Sequence, residues 1–248
     1  VHEQPLAAGA VPALAAGLTQ AFVDINLHFP SIFILLTTCA AMIASPEGRF
    51  RLKWSTRHTV FIGALLAVMV LNTLRINMAH SAYASGNRAF FRGDVRKSVK
   101  MYERAVFLDS MSDVYLNDLG GIYSIRGAAR RDMNDLAAAE SYYRRASELA
   151  PLKTLYLKNV SDVLLARSFA AREARAARPA DAAALAESIA VLQRARDLNP
   201  YNAVFHRDLG RRLEATGDLK RAELSFLSAV SLEPMFADAH FNLGMAYE

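Results

Sequence analysis

The stretch Ala203–Phe236, AVFHRDLGRRLEATGDLKRAELSFLSAVSLEPMF, decides the fold of this chain. A Gly217-Asp218 turn divides the stretch, and a proline near its end cannot continue a helix, so two helices joined by a tight turn are predicted. In the second helix Phe226 and Ala229 are three residues apart and share a face. Small and large residues on facing helices let them pack closely. The stretch therefore predicts a helical hairpin.

The same pattern recurs along the chain from Ser81 onward. A Leu-Gly dipeptide occurs three times, with its glycine at Gly120, Gly210 and Gly244. A second motif has an aromatic residue or leucine three residues before an alanine and ends in proline or serine. Its four copies begin at Tyr102, Tyr143, Leu192 and Phe226, and their alanines are Ala105, Ala146, Ala195 and Ala229.

The interval from Gly210 to Gly244 is one period of the tetratricopeptide repeat, about 34 residues, and the paired helices resemble that family. The resemblance predicts an all-α solenoid over residues 79–248 with about four and a half repeats, the fifth being truncated after Leu243-Gly244. The first two intervals between the recurring alanines exceed the last by seven and fifteen positions, so two repeats carry insertions. The insertions fall near Gly127–Asn134 and Ser168–Ala184, where extended helices or longer turns are expected.

Such arrays bind partners on a concave face lined by their first helices, and the resemblance implies a protein-interaction module here. Arg207 and Arg211 are four residues apart and could together hold a carboxylate, a phosphate or an acidic sugar. The alternative is a solvated helix face without a ligand. The residues that alignment to the repeat places on the concave face are Asn117, Lys158, Asp162, Arg207 and Arg211.

Residues 1–78 carry three apolar stretches, Leu6–Val23, Phe29–Ala44 and Thr59–Leu74. They predict two to three transmembrane helices, with buried helices of a globular domain as the alternative. The linker Ser45–His58 contains four Lys or Arg, so it is predicted to be cytoplasmic. The chain then lies in a bacterial inner membrane, with membrane lipid around residues 1–78 and the repeat array in the periplasm.

Asp24–Pro30, DINLHFP, places three polar side chains between two apolar stretches. Followed by a span, a basic loop, a further span and repeats, it resembles the C-terminal part of the O-antigen ligase and polymerase family. The resemblance implies transfer of a polyprenyl-diphosphate-linked glycan to an acceptor, with catalytic residues upstream of this chain. Two interpretations stay open for the polar cluster: His28 is a base oriented by the Asp24 carboxylate, or both residues only end and anchor helices. The cluster consists of Asp24, Asn26 and His28.

Composition disfavours several other classes of function. Residues 79–248 hold 24 basic and 21 acidic residues with the signs interspersed, which does not indicate a nucleic-acid partner. No metal-ligand spacing, phosphate-binding loop or nucleophile motif occurs, so no metal and no cofactor are predicted. Two hypotheses result: a fragment of a ligase-like glycan transferase, or a non-enzymatic membrane-anchored scaffold. Both have a protein partner on the repeats, and the first also has a polyprenyl-linked glycan.

Overall fold

The computed structural model describes residues 56–173 and 179–246, and the secondary-structure elements in these residues are all helices. The residues from 67 onward belong to one compact unit, Ala67–Glu248. The predicted all-α architecture is therefore confirmed for the described residues. The nine helices found in them are α1 (Thr56–Phe91), α2 (Val95–Leu108), α3 (Asp113–Arg130), α4 (Met133–Leu149), α5 (Thr154–Glu173), α6 (Pro179–Leu198), α7 (Ala203–Ala215), α8 (Leu219–Leu232) and α9 (Ala237–Ala246).

The helices pack as consecutive pairs. Helix α3 packs with α4, α5 with α6, and α7 with α8. Each second helix also contacts the first helix of the next pair, so that α2 touches α3, α4 touches α5, α6 touches α7, and α8 touches α9. Packing mainly against neighbouring helices along the chain produces an α-solenoid.

Close packing within a pair depends on a first-helix residue that has no side chain. A Cβ atom at Gly120 would lie 3.0 Å from the ring of Tyr143, and one at Gly210 would overlap the ring of Phe226. Because each ring lies against bare backbone, the two helices approach more closely than side chains would allow. The three glycine and ring combinations are Gly86 with Tyr102, Gly120 with Tyr143, and Gly210 with Phe226.

The third pair replaces this contact with a polar one. Ser161 occupies the glycine position, and its hydroxyl donates to the Ser188 carbonyl oxygen at 2.8 Å. Ser188 returns a bond of 2.8 Å to the Ser161 carbonyl oxygen. Leu192, smaller than the aromatic rings of the other pairs, is fully buried in the ring position. The smaller partner leaves space for the serine side chain.

The two predicted insertions lengthen the helices of their pairs. Helices α7 and α8 have 13 and 14 residues, whereas α3 and α4 have 18 and 17, and α5 and α6 have 20 each. Seven extra residues are about two helical turns and fifteen are about four. Shared between both helices of a pair, these insertions add nearly whole turns and keep the buried face in register.

The turns inside the first, second and fourth pairs share one construction. A residue with positive φ is followed by an aspartate whose carboxylate accepts a backbone N–H of the next helix. Gly217 has φ 82°, a value that glycine adopts without strain, whereas the corresponding residue of the second pair is Arg131 at φ 55°. The capping residues are Asp94, Asp132 and Asp218.

The membrane-helix prediction receives no support from the structure. Within residues 56–173 and 179–246, none of the helices is both long enough and apolar enough to span a bilayer. The third predicted span, Thr59–Leu74, lies in the N-terminal half of α1, a 36-residue helix that continues through the predicted domain boundary at Met78. The other two predicted spans, Leu6–Val23 and Phe29–Ala44, lie outside the described residues.

An ion pair joins the two helices of the second pair near their turn. Arg126 donates from Nε and Nη2 to the two carboxylate oxygens of Asp135, at 2.5 Å each. Asp135 is only 8% exposed, and the hydrogen-bonded guanidinium holds the pKa of its carboxyl below the usual range. This ion pair therefore stabilises the fold while Asp135 is ionised.

Gly210→Ala is expected to destabilise the fold by about 1–3 kcal/mol, because the added methyl group meets the Phe226 ring. Gly244→Ala is the matched control, since a Cβ at the same repeat position meets no atom within 4 Å. There the helix propensity of alanine makes the change neutral or slightly stabilising. Urea unfolding measures both. Combining Gly210→Ala with Phe226→Leu should recover part of the loss, and equal effects of the two alanines would contradict the packing argument.

Asp135→Asn is expected to destabilise the fold by about 1–3 kcal/mol near pH 7, because Arg126 loses its charged partner. The folded pKa of Asp135 is lowered, so the ion pair stabilises the protein above the ordinary aspartate pKa of about 3.9 and less as the pH falls. The difference from wild type in urea unfolding should therefore shrink near pH 3. Asp197→Asn, which removes an exposed pair with Arg196, should cost less than about 0.5 kcal/mol.

Candidate functional site

The first helices of neighbouring pairs approach one another along one side of the array. Helix α3 contacts α5, and α7 contacts α9, in addition to the contacts within and between pairs. A solenoid curves toward the side on which its helices lie closest. We call the exposed surface of α3, α5, α7, α9 and residues 79–91 of α1 the concave face.

The N-terminal half of the concave face is a chain of neutral donors around one carboxylate. The Tyr83 hydroxyl donates to Asp118 Oδ2 at 2.6 Å, and Asn117 Nδ2 donates to Asp118 Oδ1 at 3.0 Å. Asn159 on α5 donates in turn to Asn117 Oδ1 at 2.8 Å. The bonds connect α1, α3 and α5, so this half of the face is held in a defined geometry.

Tyrosine rings form the floor beside that carboxylate. The Tyr83 ring centroid lies 4.8 Å from that of Tyr115 and 5.5 Å from that of Tyr102. Burial, with a smaller contribution from the charge of Asp118, raises the pKa of Tyr102 to about 12. Burial and the hydrogen bond to Asp118 likewise raise the pKa of Tyr83. Both hydroxyls are therefore uncharged donors at neutral pH.

The C-terminal half of the face carries charged side chains that pair across helices. Lys158 on α5 lies 2.6 Å from Asp162 and 3.4 Å from Asp208 on α7. Arg207 lies 2.7 Å from both Asp208 and Asp238, and its guanidinium stacks 5.0 Å from the centroid of Phe236. These contacts continue the polar connection from α5 through α7 to α9.

The structure places all five predicted concave-face residues on first helices but gives them different roles. Asn117, Lys158, Asp162 and Arg207 already bond to neighbouring side chains. Arg211 is exposed and forms no ion pair within the described residues. A joint anion clamp of Arg207 and Arg211 stays a prediction, with Arg207 held by Asp208 and Asp238 and Arg211 free to bind.

Arg212 is a site residue that the sequence prediction missed. Its side chain is 2% exposed and donates from Nη2 to Asp162 at 2.5 Å, from Nε to Ser188 Oγ at 2.9 Å and from Nη1 to the Asp208 carbonyl oxygen at 2.8 Å. It thus joins α5, α6 and α7 beneath the concave face. The repeat register identifies this position as buried. Arg212 lies two residues after Gly210, and the residues at the same position of the second and third repeats, Ile122 and Val163, are buried.

The opposite side of the array has an open groove of about 350 Å³ between α6 and α8. Leu209 and Leu213 lie at its floor, and Arg196 and Arg221 at its edges. Each of these two arginines pairs with an aspartate on or beside its own helix. The groove is the competing binding surface and supplies a control for the concave face.

Other predicted sites receive no structural description. Asp24, Asn26 and His28 lie outside the described residues. Within residues 56–173 and 179–246, no group of His, Cys, Asp and Glu is arranged to hold a metal ion.

Comparison with known proteins agrees with this architecture. A model of the tetratricopeptide repeat family matches residues 121–151, which cover the end of α3 and all of α4. No protein of curated function matches the chain.

Solved structures share the fold at low sequence identity. MamA from Desulfovibrio magneticus RS-1, residues 41 to the end, aligns with a TM-score of 0.54 and 16% identity, covering 68% of this chain and 83% of that one. TTC0263, a tetratricopeptide repeat protein from Thermus thermophilus, aligns with a TM-score of 0.51 and 18% identity, covering 68% and 81%. A further MamA structure has a TM-score of 0.52 at 19% identity, covering 68% and 81%.

At these identities the likeness concerns the fold alone. The paired helices, the recurring glycine position and the matching family model all describe the same unit. Residues 121–151 therefore match the tetratricopeptide repeat family, and the described helices have the fold of solved tetratricopeptide repeat proteins.

Proposed function

We propose that this chain is an interaction scaffold whose tetratricopeptide repeats bind a protein partner along the concave face. Tetratricopeptide repeat proteins bind protein partners or peptides, and the extended surface of a solenoid suits an extended ligand. The observation that carries the proposal is the polar connection that runs from Tyr83 to Asp238 across consecutive first helices.

The chemistry of this face suits a peptide segment. Asn117 and Asn159 have amide groups that can both donate to and accept from a peptide backbone. Arg211 adds an exposed guanidinium that pairs with no carboxylate of the described residues and can bind one from a ligand. Because neighbouring side chains hold the rest of the face in place, little conformational entropy is lost when a ligand binds.

The glycan-transferase hypothesis depends on the sequence alone. It depends on the resemblance of Asp24–Pro30, which lies outside the described residues, and on the apolar segments before residue 79. No described contact on the repeats indicates a lipid or a glycan. The non-enzymatic scaffold is therefore the better-supported function.

The inner-membrane location with a periplasmic array stays a proposal, supported by the basic linker Ser45–His58. After replacement of Cys39, a reporter cysteine in that linker should be protected from an impermeant thiol reagent in intact cells. A reporter after Gly217 should react once the outer membrane is permeabilised. The reverse labelling would contradict the proposed topology.

A peptide selected from a random library against the full chain tests the concave face. Arg211→Glu is expected to weaken binding of the selected peptide about tenfold or more, because it replaces an available cation with an anion. The matched control is Arg221→Glu, an exposed arginine at the edge of the groove on the opposite side. Its binding should stay within about twofold of wild type, measured by fluorescence anisotropy.

The opposite pattern would reject the proposal. Loss of binding in Arg221→Glu with none in Arg211→Glu would assign the partner to the groove between α6 and α8. Circular dichroism of both variants, with unchanged helix content, ensures that the comparison reports binding rather than folding.

A further inference from the structure

Two aspartates occupy the same repeat position on the concave face, and their surroundings differ. Asp118 lies two residues before Gly120, and Asp208 lies two residues before Gly210. Since the glycines align the repeats, the two carboxylates are structural counterparts on α3 and α7.

Asp208 is neutralised by two cations. Arg207, the residue immediately before it, places Nη2 at 2.7 Å from Oδ1. Lys158, from the preceding first helix, places Nζ at 3.4 Å from Oδ2. The carboxylate is 5% exposed, and its charge is balanced within the protein.

Asp118 has donors at the same two positions, but neither carries a charge. Asn117 stands where Arg207 stands, and its Nδ2 donates at 3.0 Å. Tyr83 lies three residues before Gly86, as Lys158 lies three residues before Ser161, and its hydroxyl donates at 2.6 Å. No Lys, Arg or His of the described residues forms an ion pair with Asp118.

The surroundings of Asp118 favour a cation from outside. The carboxylate is half-buried, so its charge is less screened than that of a fully exposed group. The hydrogen bond from its hydroxyl holds the Tyr83 ring beside the carboxylate, and such rings attract ammonium and guanidinium groups. The chain itself contains this contact, since the Arg207 guanidinium lies against the Phe236 ring next to Asp208 and Asp238.

We propose that Asp118 and the Tyr83 ring form a binding site for a lysine or arginine side chain of the partner peptide. The incoming cation supplies the charge that Lys158 and Arg207 supply to Asp208. This inference rests on the proposed function and deepens it by giving the partner a required residue at the α1 and α3 end of the concave face.

The test uses two synthetic peptides and the full chain. Acetyl-Gly-Gly-Lys-Gly-Gly-amide carries the ammonium group, and the same peptide with norleucine keeps the length of the side chain without the charge. Chemical shifts of the Asn117 side-chain amide and of the α3 backbone amides are followed by NMR during titration. The norleucine peptide should bind about fivefold more weakly than the lysine peptide.

Two variants and one control give the result its specificity. Asp118→Asn removes the carboxylate, and Asn117→Arg installs the internal cation of the fourth repeat, so each should weaken the lysine peptide about fivefold. Glu103→Gln is the control, because Glu103 also accepts a tyrosine hydroxyl, from Tyr123 at 2.6 Å, but lies on the second helix α2. The Glu103→Gln variant should bind the lysine peptide with the same affinity as wild type.

Equal binding of the two peptides, or unchanged binding in Asp118→Asn, would overturn the inference. That result is separable from failure of the proposed function. If the selected peptide loses affinity in Arg211→Glu but not in Asp118→Asn, the concave face remains the proposed binding surface and only the Asp118 site is rejected. If binding of the lysine peptide depends on Asp118 while the selected peptide binds in the groove between α6 and α8, the Asp118 site is supported and the proposed function is rejected.

Discussion

The contact between an aromatic ring on a second helix and a bare stretch of backbone on the first governs this fold. At Gly210 even one methyl group would overlap the Phe226 ring, so the glycine sets how closely the two helices approach. This approach aligns each pair, and the alignment of pairs positions the first helices along a shared face. Where Ser161 replaces the glycine, a smaller Leu192 and reciprocal serine hydrogen bonds preserve the pairing.

Helix geometry explains how the array tolerates repeats of different length. Insertions that add nearly whole turns to both helices of a pair leave the buried face pointing toward its partner. The concave face therefore remains continuous past the longer α3 and α5, and side chains from successive repeats still meet across it. Lys158 reaches Asp208 and Asn159 reaches Asn117 because the register is preserved.

Charges are distributed unequally along this continuous face. Toward α7 and α9 the acidic groups are balanced by Lys158, Arg207 and the buried Arg212, which also anchors α7 to α5 and α6. Toward α1 and α3 the same positions hold neutral donors around Asp118. An array built from one repeated unit thus presents chemically different surfaces along its length.

The sequence by itself determined the repeat unit, since the glycine, ring, alanine and proline spacing of Ala203–Phe236 predicted the paired helices and located both insertions. It also placed Asn117, Lys158, Asp162, Arg207 and Arg211 on first helices, because these positions follow from the local register. Only the tertiary structure decided which of them are available, because ion pairs such as Arg212 with Asp162 join repeats that are distant in the sequence. The apolar run within α1 illustrates the same limit, since hydropathy predicted a segment that ends at Leu74, whereas the structure continues the helix to Phe91.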